Sequence, residues 1–85
     1  YKADLIDYVI SGNYLYALVK GHGSDNYLQV YDRNDRVIAE HSVHHKYDRV
    51  ELDRDNGGCW ILKKNGKDPM LFIYSFGKLR IYEVD

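Results

Sequence analysis

The sequence has one cysteine, one proline, one methionine and no block of charge of either sign. No apolar run approaches the 18 residues of a membrane-spanning helix. With Cys59 alone, neither an intrachain disulfide nor a cysteine-based zinc site can form. A single thiol suits a cytosolic chain, and equally a secreted one whose cysteine is buried, so the localisation stays open. Lys and Arg number 12 against 13 Asp and Glu, a formal net charge of -1. That balance lacks the footprint of a nucleic-acid or anionic-membrane binder, and neither partner is expected. A charged segment followed by an apolar one is missing at the start, so a signal peptide is absent or already removed. A start at Tyr1 instead of Met is what a trimmed or excised domain would show.

What the chain has in quantity is aromatic and β-branched side chains. Nine Tyr, two Phe and one Trp stand among 85 residues that are 45% hydrophobic and 29% charged, which excludes a disordered tail and a collagen-like repeat. A chain of this mass can bury about 64% of its unfolded surface, enough for one small core with little margin. Turn-forming clusters recur at intervals of roughly ten residues, the spacing of many short strands. They leave eight segments, near 5–11, 14–20, 27–32, 36–43, 48–53, 59–64, 70–75 and 78–84, and the only proline falls in a break. The first segment also carries Leu5, Ile6, Val9 and Ile10 at helix-like spacing, so a short helix over 3–11 closed by Gly12 competes with the strand.

Periodicity separates inner strands from outer ones. Segments around Leu15 to Val19, Cys59 to Leu62 and Leu71 to Tyr74 are apolar on both parities, as strands covered on both faces are. Charge interleaves in Arg36 to Val43 and Lys78 to Val84, which read as outer strands, with Val37, Ala39, His41 and Val43 sharing one parity. Sliding the sequence on itself by about 43 residues brings Tyr16-Ala17-Leu18 near Trp60-Ile61-Leu62 and Leu28 to Tyr31 onto Leu71 to Tyr74. With one deletion, Val37 to Glu40 then meets Leu79 to Tyr82. The expected fold is all-β: two four-stranded antiparallel meanders, over residues 1–46 and 47–85, of the size of propeller blades.

The segment Asp53-Arg54-Asp55-Asn56-Gly57-Gly58-Cys59-Trp60 resembles the Asp-box hairpin of sialidase-type propellers and the related turn of sensor-propeller repeats. Asp55, Gly57 and Trp60 occupy its acidic, glycine and aromatic positions. Asp53 stands where that box commonly has Ser or Thr, and Cys59 where it has Thr, so the likeness is to the wider propeller-repeat class. It implies that the turn is structural and lies away from any catalytic centre. In physical terms the Asp carboxylate accepts backbone N–H bonds, the Gly supplies positive φ, and the ring packs over the hairpin.

Other side chains could carry chemistry. Asp53 and Asp55 followed by Gly57 are similar to the opening of a calcium loop, without its closing Glu. His41 and His45 share a parity and would supply two ligands of a metal site that needs more. Tyr27, Tyr47 and Tyr82 are candidates for stacking on sugars or bases, although nine Tyr in a small β domain more often serve packing. No G-x-S-x-G elbow supports a serine nucleophile, and Cys59 lies in an apolar strand where a thiol acts as a small hydrophobe. No catalytic residue and no cofactor is expected.

The reading that follows is a non-enzymatic module of propeller-like repeats that binds protein or glycan through its loops. The alternatives are a fragment of a glycosidase- or lectin-type propeller with its active site elsewhere, and a small metal- or calcium-stabilised β domain. Two blades expose apolar flanks, so the expected partners are sister chains in a homo-oligomer or the remainder of a larger propeller, unless the sheets close as a sandwich.

Overall fold

The computed structural model describes residues 4–23 and 25–84. Eight strands follow one another: β1 (Leu5–Ser11), β2 (Tyr14–Lys20), β3 (Asn26–Tyr31), β4 (Val37–Val43), β5 (Tyr47–Asp53), β6 (Gly58–Lys63), β7 (Met70–Ser75) and β8 (Lys78–Glu83). They form two four-stranded antiparallel meanders, in the orders β1-β2-β3-β4 and β5-β6-β7-β8. The expected all-β fold is what the chain adopts, and each strand lies within a residue or so of its expected place. The first segment is a strand from Leu5; Ala3, where the competing helix would begin, lies outside the described residues. The β-branched and aromatic residues of 5–11 gain more from a sheet partner than an isolated two-turn helix could supply.

The two meanders share a landmark. In the first, Leu5 pairs with Val19 and Asp7 with Leu18, leaving Ile6 as a bulge. In the second, Tyr47 pairs with Lys63 and Arg49 with Leu62, leaving Asp48 as a bulge. Matching the bulges puts Val9-Tyr16 on Glu51-Trp60 and Ala17 on Ile61, as the sequence comparison has it. Beyond that point the ladders shift. Ala17 pairs with Gln29, whereas Ile61 pairs with Met70, so β3 and β7 correspond two residues away from the sequence alignment. A shift of two keeps every side chain on its own face. A further bulge at the start of β4 has a different effect. Tyr31 pairs with Val37 but Val30 with Ala39, so Ile38 packs on the core while Val37 is 47% exposed. The shared parity expected for Val37, Ala39, His41 and Val43 therefore fails at Val37, because the extra residue reverses alternation there.

One core lies between the sheets. Directly opposed residues point to the same side of a sheet. In the first sheet the rungs Asp7-Leu18-Leu28-His41 and Val9-Tyr16-Val30-Ala39 face the second sheet. The second sheet answers with Val50-Ile61-Met70 and Cys59-Phe72-Ile81. Tyr16, Leu18, Leu28, Val30, Cys59, Ile61 and Phe72 are fully buried, each such side chain contributing about 1.5–3 kcal/mol by leaving water. The sheets approach most closely at β1 and β5 and less at β2 and β6. Farther out, larger side chains span the gap. The Tyr16 hydroxyl accepts a 2.9 Å bond from the Tyr74 backbone N–H, Tyr14 meets the Tyr74 ring edge-on at 4.9 Å, and His41 lies 5.7 Å from Phe72. At the narrow side the Val50 N–H donates to the Asp7 carboxylate at 2.8 Å.

Candidate functional site

The meander topology sorts the connections to two ends of the sheets. Residues 12–13, 32–36, 54–57 and 76–77 turn at one end; the β2–β3, β4–β5 and β6–β7 connections lie at the other.

The turn at 54–57 is built around Asp53, not Asp55. The Asp53 carboxylate, 7% exposed, accepts from the N–H groups of Asp55 and Asn56 at 3.0 and 3.2 Å and from the Asn56 side-chain amide at 2.8 Å. The Asn56 amide is the largest cause holding the Asp53 carboxyl below the ordinary carboxylate range; the backbone donors and the Trp60 side chain add to it against partial desolvation. Asp55 gives its N–H and is itself exposed. Gly57 takes φ 71° and donates to the Asp53 carbonyl at 3.0 Å. The motif points to Asp55, two residues past the strand-end acid on which the turn is built. Three N–H donors already engage this carboxylate, and the closing bidentate Glu of a calcium loop is missing.

The histidines do not converge. His41 packs on Phe72, while His45 stacks on His44 with centroids 4.5 Å apart. His44 is lowered from its usual value, first by desolvation and then by the neighbouring charges of His45, Lys46 and Lys63. Among the described residues no three His, Cys, Asp or Glu side chains are grouped to hold a metal ion.

The three tyrosines put forward for stacking lie in different places. Tyr47 is 5% exposed, its hydroxyl donating to the Asp68 carbonyl and its ring lying 5.3 Å under the Lys63 ammonium. Little of the Tyr47 ring is left open for stacking. Tyr27 is half-buried on the outer face of the first sheet beside Val19, and Tyr82 is exposed on the outer face of the second. Cys59 is fully buried, and burial pushes its thiol far above the ordinary range, which leaves no nucleophilic thiolate.

A cleft of about 400 Å³ opens below the β4–β5 connector, lined by Ile6, Lys20, Asn26, His45, Tyr47 and Asp48. Buried Asn26 donates to the His45 carbonyl at 3.4 Å, so its amide serves to hold the connector. At the opposite end Phe76 stands 98% exposed at the tip of the β7–β8 hairpin. Ser75 pairs with Lys78, and Phe76 and Gly77 have φ of 53° and 74°, the two positive values of a tight two-residue turn. In the sequence Phe76 falls in the break between two segments, and a phenylalanine ahead of glycine in so short a loop is its only signal. Comparison with known proteins identifies no relative: no family model, no curated protein and no solved structure matches this chain.

Proposed function

We propose that the chain is a non-enzymatic interaction module in which two propeller-like blades form a rigid frame and a loop tip offers an aromatic anchor to a protein partner. The observation that carries this reading is Phe76. It is fully solvated, so its ring adds nothing to folding, and a bulky residue in the left-handed region costs about 1–2 kcal/mol, so the position works against stability. Asn or Gly would satisfy the same turn at less cost. The blade-like assignment is supported by the matching strand orders and bulges and by the closest approach at β1 and β5.

The test is a photo-crosslinking residue placed at position 76 and, separately, at Asn13 in the β1–β2 turn of the same end, in cells that make the chain. A discrete protein adduct is expected from position 76 and not from position 13. It should be competed away by untagged native chain and not by the Phe76→Asn chain. No adduct at 76, or equal competition by both chains, overturns the reading.

A further inference from the structure

The matched bulges define corresponding faces. The rungs Asp7-Leu18 and Val9-Tyr16, which point from the first sheet into the core, correspond to Arg49-Leu62 and Glu51-Trp60, which point away from the core on the second. Conversely Tyr8, Ile10, Leu15 and Ala17 on the outer side of the first sheet correspond to the core-facing Val50, Leu52, Cys59 and Ile61. The two sheets are therefore stacked in one sense, the front of the first on the back of the second. Such a stack is heterologous and leaves a back exposed at one end and a front at the other.

Both exposed faces carry an apolar centre as the joined faces do, with charged residues added around it. The back of the first sheet presents Ile10 at 61% exposure and Val37 at 47%, with Leu15 and Tyr31 half-buried on the same rung. Its next rung, Tyr8-Ala17-Gln29-Glu40, contains one acid and no cation. The front of the second presents Tyr82 at 47% exposure on a rung with half-buried Trp60 and buried Leu71, flanked by Arg49, Arg80 and Lys78. Of the acids on that face, Glu51 is already paired with Arg49 at 3.1 Å and Asp53 is buried against the donors of its own turn. Apolar centres thus meet across an acid on one side and an excess of cations on the other.

Resting on the blade-like reading, we propose that a second copy of this chain occupies these faces: the front of the second sheet of one copy docks on the back of the first sheet of the next, continuing the stack found within the chain. Because the interface is heterologous, it closes only as a ring, and blades of this kind close in rings of 4–8, or about two to four copies of this chain.

Blocking one face at a time tests the direction of docking. Native chain is expected to be larger than 10.0 kDa by light scattering and to dissociate on dilution. Ile10→Glu blocks the back of the first sheet and Tyr82→Glu the front of the second, so each variant alone should run as a monomer. An equimolar mixture retains one intact pair of faces and should give a 1:1 dimer by native mass spectrometry. Unchanged far-UV dichroism shows that a variant folds; if either fails this, Val37→Lys and Arg80→Glu make the same two blocks. A native chain that stays monomeric at the highest attainable concentration overturns the proposal, as does a mixture that stays monomeric. So does a variant that still self-associates, because that pairs like faces. A Phe76 adduct from a monomeric chain would leave the interaction-module reading standing while this proposal falls.

Discussion

Tyr16 and Asp53 show how single polar atoms secure a small β core. Tyr16 is fully buried, and its hydroxyl receives the Tyr74 N–H from the other sheet; desolvation raises its pKa, partly offset by that bond. Tyr16→Phe leaves the Tyr74 N–H without its acceptor and should lower the unfolding free energy by about 1–3 kcal/mol in urea titration, with little change in m-value. Asp53 makes stability depend on acid. Its carboxyl titrates below the ordinary value in the folded chain, so its contribution is complete above the unfolded pKa of about 3.9 and is lost as pH falls toward the folded one. The native melting midpoint should therefore fall more steeply than that of Asp53→Asn as pH drops below about 4, and should lie above it at pH 7; parallel pH profiles would contradict this role.

At the scale of elements, Gly58 is the most constrained backbone position. It opens β6 against β7, where an added Cβ would come 2.1 Å from the Phe72 carbonyl oxygen and 2.9 Å from an Ile73 side-chain carbon. Backbone cannot yield as a flexible side chain does, so Gly58→Ala should cost about 3 kcal/mol or more, measured by denaturant unfolding. Gly12→Ala, with φ 60° and open space around it, should cost about 1 kcal/mol through strain alone. The strands themselves were legible because turn residues and β-branched runs are local signals. Their exact pairing was less so. The bulges at Ile6 and Asp48, the two-residue shift at Gln29 and Met70 and the reversal at Val37 depend on which hydrogen bonds the neighbouring strand offers, information that no single segment contains. The candidate site suffered similarly. Asp55 fits a motif, but only the fold shows that Asp53 stands at the strand end with the donors gathered before it.

At the scale of the molecule the two sheets share one core, so neither is expected to open alone. Cys59 reports on this, being buried between the sheets with a thiol held protonated. Its labelling by a thiol reagent at pH 8 should be undetectable in the native chain over minutes, and should proceed in the presence of urea with the same midpoint as the Trp60 fluorescence change. Labelling that precedes the fluorescence change would mean that the sheets separate before they unfold. The connector between β4 and β5 is only residues 44–46, and it is turned back on itself by the Tyr47 N–H bonding to the His44 carbonyl at 3.2 Å. So short a tether holds the second sheet at an effective concentration of the millimolar order beside its own first sheet, well above what sister chains can supply in dilute solution. The connector thereby sets an order of events, in which each chain completes its internal stack before any contact between chains can form.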